Sequence, residues 1–511
     1  MKAPFWLQGF GLAILLMFGF IWPYMSPERA ILYHSLLPVN NVYWGLAIDV
    51  TIMCILATAV FVSIQRHFSK ADPGKFSFWW AIIGAALVWR VHVSLVWLEL
   101  LSVRFFPTRL TFLICAGSGI ALWCWKRALY LRIVYSLRFT LALLGFCIFW
   151  ILPQFLYMAV HPEPREEFSF VRSIIHAPSP GRRIVWVVFD ELSQDQVFDH
   201  RQNDVNLPAF DRFRTESIMY TNVQPAGYYT TIVIPSLLTG KRIVREKSSL
   251  DGQLSVETGQ GWATFPSDQS IFADAHRDGW TAGVAGWYIP YCRTFAAELN
   301  RCEWQSSILF PGDYSPQKSI LWNVLAPLRG SFLRMANRNY DRDFNAIIHK
   351  SDYNHILDSS HQLIADESIQ FVFLHIPVPH PWSIYNRRSH TFSKDGSYLD
   401  NLVLADDALS NILQWISATK SSASTTVVLC SDHSWRVPYW RGIANWSAEE
   451  QRASDGKFDP RPVLMVHVPG QNRPDEVTQP FPAIKEHDLI ENLLKGTPAS
   501  EDSKASAVAQ H

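Results

Sequence analysis

Five long apolar runs crowd into the first 160 residues, at about 5–25, 42–64, 77–101, 107–125 and 139–160. Each is close to the roughly 20 residues that carry an α-helix across a hydrocarbon core of about 30 Å. Backbone in lipid must satisfy every N–H and C=O internally, so such runs are read as helices. They predict a transmembrane domain of five helices over 1–160. The first run passes from Phe10–Trp22 into Pro23, Tyr24 and Met25 without a small-residue cleavage pattern, so it reads as a retained helix and not a signal peptide.

Charge separates this region from the rest. The whole chain has 45 Lys+Arg and 45 Asp+Glu, but residues 1–160 hold 12 and 4 of them, leaving 33 and 41 for residues 161–511. A net charge of zero is thus the sum of a basic membrane half and an acidic second half, and the acidic half excludes a basic nucleic-acid binder. If the helices alternate, Lys2, Arg66, Lys70, Lys75, Lys126, Arg127, Arg132 and Arg138 share one side, against Arg29, Arg104 and Arg109 on the other. Lys and Arg are retained on the cytoplasmic side. The expectation is a multi-pass protein of a bacterial-type cytoplasmic membrane, with its N-terminus inside and its second half periplasmic or extracellular. Arg90 and His92 fall within the third run and Glu99 near its end, where an ionisable group needs a partner or a wet cavity. A headgroup contact and an internal pairing with Glu99, Asp49 or a neighbouring helix are both open.

A linker is expected over 161–180, a folded domain over 181–495 and a disordered, small and polar tail over 496–511. Within the domain, β-branched runs at Ile184–Phe189, Thr281–Ala285, Gln370–His375, Thr425–Cys430 and Pro462–Val468 alternate with helix-like stretches such as Leu399–Ile416. This predicts an α/β fold with a central, mostly parallel sheet covered by helices. Ligands of such sheets gather at the carboxyl ends of the strands. Those ends carry Asp190-Glu191, His375 with His380, and Asp432-His433, the residue types that hold zinc or a similar divalent cation. A lone Asp190 is more simply a helix cap, yet capping does not account for His380 and His433 as well. Ala226 to Gly240 adds Thr230 and Thr231, either helix caps or a nucleophile whose alkoxide a metal would stabilise.

These pieces resemble the alkaline phosphatase and sulfatase superfamily, and within it the membrane-anchored phosphoethanolamine transferases and lipoteichoic-acid synthases. The matching segments are Val185 to Leu192, Thr230 to Gly240, His375 to Pro381, Val428 to His433 and Arg461 to Gly470, in that order along the chain. The resemblance implies that Asp190, Asp432, His433 and the Thr230 hydroxyl bind a metal, zinc, with manganese, calcium or magnesium as alternatives. Thr230 takes the nucleophile position, with Thr231 as fallback. Sulfatases place there a Cys or Ser that becomes formylglycine, which threonine cannot. The Gly-Lys-Trp-His element of sulfatases is similar here to Gly286-Trp287-Tyr288, without its cations. Both departures favour phosphoryl over sulfuryl transfer. Further ligands are sought around Lys457, Arg461 and His467.

The implied activity moves a phosphoryl-linked headgroup, phosphoethanolamine or phosphoglycerol, from a membrane phospholipid donor to an envelope glycan or glycolipid acceptor through a phosphothreonine ester. His380 is the expected acid and base, its pKa able to lie near the working pH. His375 is either part of the site or a core histidine, and Glu191 a supporting or capping group unless the strand end kinks it inward. The alternatives are a membrane-anchored hydrolase of phosphodiesters or sulfuric esters, and an inactive binding module. Asp406 and Asp407 are read as a solvated helix face, and His276 and His355 carry no metal spacing. Cys54, Cys115, Cys124 and Cys147 lie in apolar runs and Cys430 in a strand. Cys292 and Cys302, ten apart in a polar stretch, are able to pair in an oxidising exterior or to remain two thiols.

Overall fold

The computed structural model describes residues 4–25, 28–29, 37–71, 73–97, 108–161, 168–172, 181–249, 252–306, 313–337, 339–442 and 446–496. Glu99, most of the 161–180 linker and the tail from 497 lie outside the described residues. The chain divides into two compact units. The first comprises Met1–Pro27, Leu37–Arg165 and Leu309–Leu333; the second comprises Glu28–Leu36, Glu166–Ile308 and Arg334–His511.

The first unit holds α1 (Phe5–Met25), α2 (Asn40–Ala71), α3 (Pro73–Trp97), α4 (Thr108–Trp125), α5 (Arg127–Gly145) and α6 (Ile148–Val160). Three stretches are long and apolar enough to cross a membrane: Phe5–Met25, Asn40–Ile64 and Arg127–Val160. The last runs α5 into α6 through a two-residue turn, so this stretch begins at Arg127, within the same helix as the start of the run at 139–160. The other two apolar segments among the described residues, Phe78–Val93 in α3 and Leu110–Trp125 in α4, are shorter. Five full-length crossings are therefore not what the described residues contain. Arg90 is satisfied within this unit, donating from Nε and Nη2 to the carbonyls of Leu15 and Leu16 at 3.3 and 2.8 Å. His92 pairs with Thr111. These partners support the internal reading of both residues.

The second unit is built on nine strands: β1 (Ser169–Val171), β2 (Arg183–Asp190), β3 (Ile218–Tyr220), β4 (Ala282–Trp287), β5 (Arg301–Gln305), β6 (Phe371–Pro379), β7 (Thr425–Ser431), β8 (Leu464–His467) and β9 (Asp475–Val477). Their order is β9-β3-β8-β7-β2-β6-β4-β5-β1. The central run β7-β2-β6-β4-β5 is parallel, whereas β8 is antiparallel to both its neighbours and β1 is antiparallel to β5, so the sheet is mixed. Every residue of β2, β6 and β7 is buried, which explains their continuous apolar sequences.

Strand alternation feeds two cores. Val185, Val187 and Phe189 join one with Leu402, Leu409 and Ile412; Ile184, Trp186 and Val188 join the other with Ile234, Leu238 and Ile490. The helix Tyr398–Ser417, opened by a Ser397–Asp400 capping box, covers the first face. Asp406 on this helix is buried and not solvated as expected. Its carboxylate accepts from Ala209 N and Phe210 N at 3.0 and 2.9 Å, satisfying the first turn of helix Pro208–Thr215. Asp407 is exposed.

In the second core the side chain of Glu486 is fully buried beside Cys430, and burial pushes its carboxyl up to about 8. The ordinary value for this group is 4.5. Between those values the folded state holds a proton that the unfolded state has lost, so stability falls as pH rises, by about 1.4 kcal/mol per pH unit. Glu486→Gln removes the ionisation. Its melting temperature is expected to exceed that of the wild type clearly at pH 8 and hardly at pH 5; equal gains at both would contradict the assignment.

Candidate metal centre and nucleophile

The site forms where β2, β6 and β7 end side by side. Asp190 closes β2, and Glu191 turns the chain through a left-handed conformation with φ of 65°. That kink brings both carboxylates inside, where neither is exposed. β7 leads into Asp432 and His433, also fully buried, held by Ser431, whose hydroxyl accepts from Leu192 N at 2.8 Å. Asp432 Oδ1 accepts from the backbone N–H of Glu191 and of His433 at 3.1 and 2.7 Å. Its Oδ2 is left without a hydrogen-bond partner.

His433 Nδ1 lies 3.1 Å from the carbonyl of Ser434, which makes Nδ1 the protonated nitrogen and leaves Nε2 a bare acceptor. That Nε2 is 3.2 Å from Asp432 Oδ2 and 3.4 Å from Thr230 Oγ1. Thr230 is the first residue of helix Thr230–Thr239, and its hydroxyl also lies 3.3 Å from Asp190 Oδ2. The cap position belongs to Tyr229, which offers no side-chain bond, so the Thr230 hydroxyl is spent on the site and not on the helix. Thr231 interacts with the Glu246 carboxyl. His375 is buried beneath, its Nδ1 2.9 Å from Tyr291 OH and its Nε2 3.8 Å from Asp190 Oδ2.

The electrostatics of this cluster suit a cation. Burial first, and then the charges of Asp432 and Glu191, raise the Asp190 carboxyl well above its usual range, and burial raises Asp432. Burial drives the imidazoles of His375 and His433 down to about 4, so both are neutral. Asp190 Oδ1, Asp432 Oδ2 and His375 Nε2 are buried without a hydrogen bond. Orphaned groups of this kind are costly and demand a partner. Ligand atoms of Asp190, Asp432 and His433 lie within 4.8 Å of one another, and carboxylate with bare imidazole is a donor set for zinc and related ions. The residues fit a divalent metal.

A second grouping, Asp190, Glu191 and His380, is equally compact. Here a cation is already present, because Arg436 donates to the Glu191 carboxylate from Nε at 2.5 Å and from Nη2, while Trp440 Nε1 donates to it at 2.8 Å. The Arg436 guanidinium is also 3.4 Å from His380 Nε2. Burial, with the Arg436 charge next, holds His380 well below the usual histidine value. It is a neutral imidazole at neutral pH and not a standing acid. Asn401 fixes it by donating to its carbonyl at 2.9 Å.

Tyr229, Thr230, Thr231, Trp287, Tyr288, His380 and Arg436 line one small cleft. Trp287 and Tyr288 thus stand in the cleft without supplying a cation, and Arg436 supplies it from another strand exit. Arg436 and Glu246 were not singled out in the sequence. The only signal for Arg436 is its place four residues after Asp432 in the same strand-exit loop. Lys457 pairs with Asp455, Arg461 with Asp199 and Asp459, and His467 with the carbonyl of Glu216, so none of the three joins the centre. Cys292 and Cys302 are disulfide-bonded, next to Tyr291.

No family model matches the chain, and no curated protein matches it. Three solved structures illustrate what it is similar to. A phosphonate monoester hydrolase of Agrobacterium radiobacter is 11% identical, with 61% of this chain and 74% of that one covered and a TM-score of 0.36. The lipoteichoic acid synthase LtaP from Listeria monocytogenes is 13% identical, with 62% and 72% covered and a TM-score of 0.35. A protein in the alkaline phosphatase superfamily from Vibrio parahaemolyticus is 14% identical, with 61% and 66% covered and a TM-score of 0.36.

Proposed function

We propose that the protein is a membrane-anchored, metal-dependent phosphotransferase that moves a phosphoryl-linked headgroup from a phospholipid to an envelope glycan or glycolipid through an ester on Thr230. The observation that carries this reading is the Thr230 hydroxyl, set between Asp190 and His433 and facing orphaned buried carboxylate oxygens. The hydroxyl caps no helix, and Asp190 Oδ1 and Asp432 Oδ2 in the same cluster are buried without a hydrogen bond.

Asp190, Asp432 and His433 would hold the cation, with His375 behind Asp190; when bound it lowers the pKa of the Thr230 hydroxyl and offsets charge on the phosphoryl oxygens. The chain's own residues do the rest. Thr230 Oγ1 forms a bond to phosphorus as the bond to the diacylglycerol oxygen breaks, and the proton lost by Thr230 equals the one gained by the departing alcohol. Neutral His380, in the same cleft, shuttles that proton, and in the second half takes one from the acceptor hydroxyl. Arg436 meets the non-bridging oxygens with a charge fixed by Glu191 before substrate arrives. Such preorganised charge is a main protein contribution to phosphoryl transfer.

A second reading, a phosphodiesterase, is favoured by Glu246. Burial raises this carboxyl to about 7, and it interacts with Thr231, which lines the cleft; a base so placed would activate water as readily as an alcohol. Product analysis separates the two, since water yields free headgroup phosphate and an acceptor yields a modified glycan.

The metal assignment is tested by thermal unfolding of chelator-treated protein. Added zinc at about a hundred times its Kd is expected to stabilise the wild type by about 2.7 kcal/mol and to restore lipid turnover. Asp432→Asn keeps both backbone hydrogen bonds to Oδ1 but offers a poor ligand, and should respond to neither. Zinc-independent melting and turnover in the wild type would sink the assignment.

A further inference from the structure

The segment 309–333 lies in the same compact unit as the apolar helices, although 143 residues separate it from Arg165. It is built onto one end of that unit. Tyr314 OH donates to Asp49 Oδ2 at 2.7 Å, the Tyr24 and Tyr314 rings are 5.9 Å apart, and Asn41 Nδ2 donates to the carbonyl of Lys318 at 3.0 Å. Asn323 packs against Gly45, where any β-carbon would collide with it. Tyr24 is at the end of α1 and Asn41 to Asp49 at the start of α2, so the segment covers the end of the bundle where the chain leaves α1 and enters α2.

The helix Ile320–Ala336 that follows has two opposite faces. Asn323, Ala326 and Gly330 are buried on one. On the other, Leu321, Leu325, Leu328, Phe332 and Met335 recur at steps of four, three, four and three residues, which is a single stripe. They are 68%, 50%, 73%, 64% and 77% exposed in the full chain. A stripe of five large apolar side chains in water is unfavourable and marks a surface made to be covered. Its edges are those of a helix in a membrane interface. Trp322 and Arg329 stack with the guanidinium 4.4 Å from the ring, Lys318 precedes the helix, and the helix has no acidic residue, its second arginine, Arg334, donating to Asp341 at 2.8 Å.

We propose that helix Ile320–Ala336 lies in the plane of the bilayer surface, its Leu321–Met335 stripe sunk into one leaflet and its basic residues against anionic headgroups. The occupant is lipid because the stripe continues from a unit in which three apolar stretches are long enough to span, and because Lys318 and Arg329 flank it with positive charge complementary to anionic lipid. The inference rests on the membrane reading of that unit and adds a lipid contact supplied from the middle of the second half of the chain.

The test is spin-label accessibility in the full chain reconstituted into vesicles of phosphatidylethanolamine and phosphatidylglycerol, with Cys115, Cys124 and Cys147 replaced by serine. Single labels go to Leu325→Cys, Leu328→Cys and Arg329→Cys, and to Ile55→Cys on α2 as the control for the membrane reading. The expected result is that Leu325 and Leu328 are reached several-fold better by oxygen than by a water-soluble nickel chelate, with the order reversed at Arg329. Chelate access at Leu325 and Leu328 with Ile55 protected overturns the in-plane helix alone. Chelate access at Ile55 overturns the membrane reading and the proposal with it. Protection from both reagents with spin–spin broadening overturns it in favour of a second copy. In the wild type, where no substitution can disturb folding, an apolar photoreactive probe dissolved in the vesicles should label the peptide 320–336; its failure to do so while labelling 40–64 also overturns the proposal.

Discussion

Thr230→Ala is expected to lower headgroup release by roughly 10⁴-fold or more, the scale on which removal of a covalent nucleophile acts. The loss is specific because no neighbouring group can take over. Thr231 is the adjacent hydroxyl and interacts with the Glu246 carboxyl, while Thr230 Oγ1 sits 3.3 Å from Asp190 Oδ2 and 3.4 Å from His433 Nε2. Thr231→Ala should therefore stay within about tenfold of the wild type, and Thr230→Ser should keep a measurable rate, since it retains the oxygen and loses only a methyl group. Turnover with the donor lipid, followed by release of diacylglycerol, reads all three. An alanine at 230 that remains active, or one at 231 that does not, would contradict the assignment of the nucleophile.

Arg436→Met has the second largest expected effect, about 10²- to 10³-fold in kcat, the range seen when one preorganised charge donor is lost. It also has a structural cost. Glu191 is fully buried and its carboxylate relies on Arg436 and Trp440, so removal of the guanidinium leaves an uncompensated buried charge, worth about 3–5 kcal/mol. The two effects separate in the double variant. Glu191→Gln with Arg436→Met should recover most of the stability and none of the rate. Arg436→Lys should recover little of either, because an ammonium cannot reproduce the fork that meets Glu191 from Nε and Nη2 while facing His380. Recovery of rate in the double variant would make Arg436 purely structural.

Much of the centre was legible because strand exits in an α/β sheet are few and their side chains are constrained. The buried strands appear in the sequence as uninterrupted β-branched runs, so the residues that follow them could be named as Asp190, His375, His380, Asp432 and His433. Which of two adjacent threonines faces the site depends on the phase of a helix that begins at Thr230, and composition carries no such phase. Arg436 was not legible because its meaning comes from Glu191, 245 residues away, through a backbone kink at a non-glycine residue. The protonation of His380 depends on the same arginine. Asp406 lies on a helix whose hydrophobic spacing correctly predicted one buried face, but that face also carries a carboxylate spent on another helix's first turn. In the first unit, three stretches among the described residues are long and apolar enough to cross; Phe78–Val93, which carries Arg90 and His92, and Leu110–Trp125 are shorter, and the chain from 98 to 107 lies outside the described residues. The stripe on Ile320–Ala336 was within reach of periodicity, but a helix in the middle of an α/β domain is ordinarily read as one more cover for the sheet.

The central claim is that phosphorus becomes attached to Thr230. Intact-mass analysis and peptide mapping of the full chain, quenched during turnover with zinc and a phosphatidylethanolamine or phosphatidylglycerol donor, address it directly. The account predicts a headgroup-phosphate adduct on the peptide containing Thr230, present in the wild type and in Thr231→Ala and lost in Thr230→Ala. An adduct on another residue, or turnover by the wild type with no adduct at any quench time while Thr230→Ala remains equally active, would contradict it.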